Sequence, residues 1–144
     1  PEFERIRSLI KELKVEEQVK IFSSVNDTSL GQFYAACDLF VLPCDFIPPN
    51  EVEGRGIVFL EANSFGKACI GGDSGGVPES VIDNVTGLLV DPKSEKDLLD
   101  KVTTLLDNPA LREDLGTKGL KRIQEEFNIS KSDYLVKLLG VNSD

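Results

Sequence analysis

Three short apolar runs, LFVLPC at 39–44, ACIGG at 68–72 and GLLVD at 87–91, are separated from one another by stretches with helical character. Strands that alternate with helices in this way return to the same end of a sheet each time, so the chain is expected to form a doubly wound, mostly parallel α/β sheet with a Rossmann-like layout. A fourth run, VKIFSSV, completes the expected strands: Val19–Ser23, Leu39–Pro43, Ala68–Gly71 and Gly87–Val90. Helices are expected over 1–13, where Phe3, Ile6, Leu9, Ile10 and Leu13 make a stripe, and over SLGQFYAAC, capped by Asp27 or Thr28. Further helices are expected from Gly56 onward, over 78–82, over 94–108 and from Pro109 to Phe127, with a last one over 130–140. Ligands of such sheets bind at the carboxyl ends of the strands, which puts the loops after LFVLPC and ACIGG at the functional edge.

The most informative segment follows the first of those loops. In EGRGIVFLE, Glu53 and Glu61 stand eight positions apart around a helix mouth. On a helix that spacing covers roughly 12 Å of axis, about the reach of a sugar, a pyrophosphate and a ribose laid end to end. The backbone N–H groups from Gly54 through Arg55 and Gly56 to Ile57 lie at the positive end of the helix dipole and form an anion site. One carboxylate can then accept from sugar hydroxyls and the other from ribose hydroxyls, with phosphates held between them. Taken singly, each glutamate is better explained by the dipole or by solvent, and it is their joint placement with the Gly-rich mouth that points to a site.

Composition removes several other classes. The 144 residues suffice for one domain, and the net charge of −9 disfavours nucleic acid and anionic lipid as partners. No apolar run approaches the ~20 residues that span a bilayer and no signal-peptide pattern stands at the start, so a soluble, cytoplasmic chain is expected. Cys37, Cys44 and Cys69 are odd in number and lie in or beside apolar runs, as buried free thiols in a reducing compartment do. The sequence contains no histidine, and nothing in it groups as metal ligands. The same absence disposes of GDSGG at 72–76, which spells a serine-hydrolase string, because Ser74 has no general base; its expected role is to cap the helix that holds Pro78. Gly54 and Gly56 begin a dinucleotide fingerprint, but Phe59 replaces its third glycine. Sequons at Asn26, Asn84 and Asn128 read as turn chemistry.

The order Glu53, Leu60-Glu61-Ala62, Gly66-Lys67 and Gly75-Gly76-Val77-Pro78-Glu79 resembles the donor-binding, C-terminal half of retaining glycosyltransferases of the GT-B fold, the group that includes bacterial mannosyltransferases and sucrose synthase. The resemblance runs from about Phe3 to Leu139. It implies transfer of a hexose, mannose among the candidates, from a nucleotide diphosphate sugar to a lipid or glycan acceptor, without a metal or other cofactor. Glu53 would orient the sugar as the catalytic residue, while Gly54, Arg55, Gly56, Ile57 and Glu61 would bind the donor. Arg55 stands where the family often has an apolar residue, and Ser23 where a glycine is common.

The resemblance also implies an incomplete domain. The acceptor domain and the first two strands of the nucleotide domain, with their basic diphosphate-gripping residues, have no counterpart in these 144 residues. The expectation is therefore a fragment completed by the missing N-terminal domain or by self-association through unpaired strand edges, inactive alone, and meeting membranes only through the missing part. Two alternatives stay open: a non-catalytic interaction module of the same fold, and a sugar-nucleotide epimerase.

Overall fold

The computed structural model of the protein describes residues 2–45 and 56–126. Among them, three strands form one sheet in the order β1-β2-β3: β1 (Phe40–Leu42), β2 (Cys69–Gly72) and β3 (Gly87–Val90). Both pairings are parallel, with Phe40 opposite Cys69 and Cys69 opposite Gly87. Six helices accompany them: α1 (Glu2–Glu12), α2 (Asp27–Ala36), α3 (Ile57–Ser64), α4 (Val77–Ser80), α5 (Glu95–Asp107) and α6 (Pro109–Glu126). The expected α/β architecture is thus present, and three of the four expected strands fall within a residue or two of their positions.

The fourth expectation fails. Among the described residues, 19–23 form no strand and pair with no other segment. Alternation of apolar side chains makes a segment competent to pair, but a strand exists only where a neighbour completes its hydrogen bonds. The expected helix over 130–140 lies outside the described residues.

The pleat of the sheet sorts side chains onto two faces. On one, Cys69 joins Tyr34 of α2, Phe59 and Ala62 of α3, and Val77 and Val81 around α4, with Phe40 and Leu89 packed against them. On the other, Ile70, Leu88 and Val90 meet Leu105 of α5 and Leu115 of α6. Phe59, Ile70 and Leu105 are fully buried, and each such side chain contributes about 1.5–3 kcal/mol. By contrast α1 buries none of its residues: its apolar stripe is helical, as expected, yet Ile6, Leu9 and Leu13 are exposed.

Glycine permits the closest contact between layers. A Cβ on Gly116 of α6 would lie 2.1 Å from the Gly66 carbonyl oxygen, so the helix rests directly on the turn joining α3 to β2. Beside it, the buried Asn63 side chain donates from Nδ2 to the Lys67 carbonyl (2.9 Å), the Thr86 carbonyl (3.3 Å) and Cys69 Sγ (3.3 Å), tying α3 to both following strands.

Helix ends follow local side-chain chemistry. Ser94 caps α5 by accepting from the Asp97 N–H at 3.1 Å, and Pro109 opens α6 as expected. The cap of α2 is Asn26, one residue before the expected pair, with its Oδ1 accepting from the Ser29 N–H at 2.8 Å. At the outer side of β3, Leu89 donates its N–H to Asp83 Oδ1 at 2.9 Å, and its carbonyl accepts from Lys101 Nζ. Arg112 closes the end of α5 by donating to the Leu105 and Leu106 carbonyls.

Candidate functional site

Because all three strands are parallel, their carboxyl ends share one edge, and the loops that leave them meet there. Asp45, just past β1, joins these loops. Its Oδ1 accepts from the Ser74 hydroxyl at 3.3 Å, and its Oδ2 lies 3.6 Å from Lys93 Nζ. The end of β2 presses against the same loop: a Cβ on Gly72 would sit 2.1 Å from the Cys44 carbonyl oxygen. Asp73 then donates its N–H to the Val90 carbonyl at 2.7 Å and leaves its side chain exposed. Asp45 was not singled out by sequence, since an aspartate after a strand reads as ordinary loop chemistry.

Ser74 therefore hydrogen bonds to Asp45, and the N-cap of α4 is Gly76. The expectation that Ser74 caps this helix is corrected. The loop after β1 brings the Asp45 carboxylate within reach of the hydroxyl, and four residues of helix offer little to cap. Among the described residues, no three or more Cys, Asp or Glu side chains are grouped to hold a metal ion.

Helix α3 enters at this edge. Gly56 is its N-cap, buried and left-handed with φ 55° and ψ 52°. A Cβ there would fall 2.6 Å from Phe59 Cδ2. Glycine at this position is thus required by the backbone and by Phe59, a reason independent of any phosphate. Ile57 is the first helical residue, with its side chain exposed. Glu61 lies one turn further in, partly buried, and its Oε2 accepts a hydrogen bond from the Tyr34 hydroxyl at 3.0 Å. Of the six residues picked from sequence, the structure places Gly56, Ile57 and Glu61 on one short helix. Glu53, Gly54 and Arg55 lie outside the described residues.

Tyr34 escaped the sequence reading because an aromatic on a short helix reads as core. Its ring is core, 4 % exposed and flanked by Phe40 and Phe65, each with its ring centroid 5.7 Å away. Only the three-dimensional fold brings its hydroxyl to a residue 27 positions later. Two thiols lie near this packing. Burial raises the Cys37 pKa, and raises that of Cys69 far more, beyond the range in which a thiolate forms in neutral solution.

Residues 1–122 match the family model described as glycosyl transferases group 1. The chain belongs to this family. Among curated members, it is 40% identical over 107 residues to the GDP-mannose-dependent alpha-(1-6)-phosphatidylinositol monomannoside mannosyltransferase of Mycobacterium tuberculosis. That match takes in 74% of this chain and 28% of the relative, so the chain spans less than a third of the enzyme it resembles. Among solved structures, sucrose-phosphate synthase from Thermosynechococcus elongatus superposes with a TM-score of 0.76 at 28% identity, over 95% of this chain and 32% of that one. The C-terminal domain of a glycosyl transferase group 1 protein from Francisella tularensis gives a TM-score of 0.71 at 25% identity, over 88% of this chain and 63% of that one. The group 1 chain thus has the fold its motifs implied. No helix among its described residues is long and apolar enough to cross a membrane.

Proposed function

We propose that residues 1–144 are the donor-binding domain of a retaining glycosyltransferase that moves a hexose from a nucleotide diphosphate sugar to a lipid or glycan acceptor. The observation that carries this reading is the convergence, at the carboxyl edge of a parallel sheet, of the start of α3 with its Gly56 cap and the Gly-rich loop after β2, in a chain of the group 1 family. The Mycobacterium tuberculosis relative is named as GDP-mannose-dependent and acts on a phosphatidylinositol monomannoside, which makes mannose and a glycolipid the first donor and acceptor to try.

In this reading the negative charge that develops on the leaving diphosphate is met by the N–H donors at the mouth of α3, Gly56 and Ile57 among the described residues, and the preceding Gly54 and Arg55 are assigned to the same phosphates by sequence alone. Glu61 accepts from the ribose hydroxyls, and Glu53 orients the transferred sugar. The chemistry calls for no metal. The protein acts in the cytoplasm, where nucleotide sugars are made, and reaches a lipid acceptor through its other domain.

The test is a calorimetric screen of the full-length protein against GDP, UDP, GDP-mannose and UDP-glucose, followed by initial rates. Glu53→Gln is expected to lower turnover far more than affinity for the free nucleoside diphosphate, which offers Glu53 no sugar to touch. Product with inverted anomeric configuration, or no binding of any nucleotide in the panel, would overturn the reading.

A further inference from the structure

Tyr34 is built into the core as an aromatic residue, yet its one polar atom is directed at the candidate site. The ring stacks on Phe65 at an interplanar angle of 28° and tilts at 58° against Phe40, so neighbours on both sides restrict its rotation. The hydroxyl is thereby aimed, and it donates to Glu61 Oε2 at 3.0 Å. α2 and α3 approach each other through this pair on one face of the sheet.

A glutamate on a helix surface is ordinarily free to sample several rotamers, and ordering it on binding costs entropy. Here the Tyr34 hydroxyl supplies that ordering from within the fold. An ionised carboxylate has about four acceptor sites, so one bond from Tyr34 leaves room for two more donors. Two vicinal hydroxyls, as on a ribose, present donors at the spacing that one fixed carboxylate accepts. We infer that Tyr34 is a positioning residue: its hydroxyl holds the Glu61 carboxylate in the orientation that accepts the 2′- and 3′-hydroxyls of a nucleoside diphosphate. This inference rests on the donor-binding reading given above and adds to it the residue that makes Glu61 selective for ribose.

A purely structural tyrosine would affect all ligands alike, and this sets the experiment. Full-length protein is titrated calorimetrically with GDP and UDP and with their 2′,3′-dideoxy counterparts, for the wild type, Tyr34→Phe and Glu61→Gln. With the wild type, the tighter ribose nucleotide is expected to outbind its dideoxy form by about tenfold or more, the range of a charge-assisted hydrogen bond. Tyr34→Phe keeps the ring and its stacking, so the dideoxy form should bind as before while the ribose form weakens and the ratio falls to about threefold or less. Glu61→Gln retains an acceptor for Tyr34, and with it the fold, and should flatten the ratio in the same way. If Tyr34→Phe weakens both forms equally, or leaves the ratio at its wild-type value, Tyr34 is core only and the inference is overturned. If the wild type itself does not distinguish ribose from dideoxyribose, the assignment of Glu61 falls and takes the inference with it. A failure to bind any of the four nucleotides refutes the donor-binding reading itself. Should Tyr34→Phe unfold, an unchanged ratio in Glu61→Gln still overturns the inference, because a positioned carboxylate that contributes nothing has no need of positioning.

Discussion

Gly116→Ala sets two well-measured effects against each other, and the structure decides the sign. On helix propensity alone, replacing a mid-helix glycine by alanine stabilises by about 1 kcal/mol. The new methyl group, however, would lie 2.1 Å from the Gly66 carbonyl oxygen, 2.8 Å from its carbon and 3.1 Å from the Ala68 nitrogen. All three are backbone atoms of the turn that feeds β2, so no side chain can swing aside. Restoring ordinary contact requires α6 to lift by about 1 Å, loosening Leu115 and Ile123 from the core. Overpacking of this kind costs about 1–3 kcal/mol and more where backbone must move. Because backbone must move here, the upper part of that range, about 2–3 kcal/mol, applies, and with the propensity gain subtracted a net loss of about 1–2 kcal/mol is expected. Urea unfolding of wild type, Gly116→Ala and the exposed-site control Thr117→Ala measures it, with Thr117→Ala expected to be neutral or slightly stabilising. A Gly116→Ala protein more stable than the wild type would show that α6 does not rest on the turn as described.

Asn63→Ala is expected to cost about 1–3 kcal/mol in the same assay, because it takes the Nδ2 donor from the buried Thr86 carbonyl and leaves the Lys67 carbonyl with only the Cys69 thiol at 3.7 Å. A loss under about 0.5 kcal/mol, the range of ordinary surface changes, would mean that water satisfies those carbonyls. Cys69, fully buried and with its pKa raised by burial, should resist maleimide labelling at neutral pH until denaturant unfolds the chain, and mass spectrometry of the labelled peptides reads this directly. Rapid native modification of Cys69 would show that the sheet opens locally.

What the sequence disclosed, and what it withheld, follows from the range of the interactions involved. The runs around Val41, Ile70 and Leu88 signal strands because each is apolar over a span too short for a helix and is bounded by turn residues. The run at 19–23 carries the same signal and forms no strand, since pairing depends on a neighbour and not on the run itself. Pro109 acts on its own helix and was legible, whereas Ser94, expected inside its helix, is the cap, and Asn26, a residue away from the expected cap, shows the same uncertainty at a helix end. Within the site, Glu61 was visible by its spacing and by family motif. Tyr34 and Asp45 were not, because the partners of each lie 27 or more positions away. Gly56 was picked for a phosphate, and the structure shows a backbone reason for glycine there that the sequence reading did not contain. A Gly56→Val substitution would strain a left-handed residue and strike Phe59, so its effect on nucleotide binding could not be read apart from its effect on the fold.

The side-chain contacts at Leu89 give the sheet a direction of growth. A strand approaching β3 would have to evict the Asp83 carboxylate and the Lys101 ammonium from the backbone groups they occupy, and return both charges to water. Across the sheet, Val41 and Leu42 are exposed on a strand whose only neighbour among the described residues is β2. Any added strand, whether from elsewhere in the same polypeptide or from a crowded neighbour, is therefore directed to that one margin. Any pairing that extended this sheet, within one polypeptide or between molecules, would draw on the same three residues of backbone.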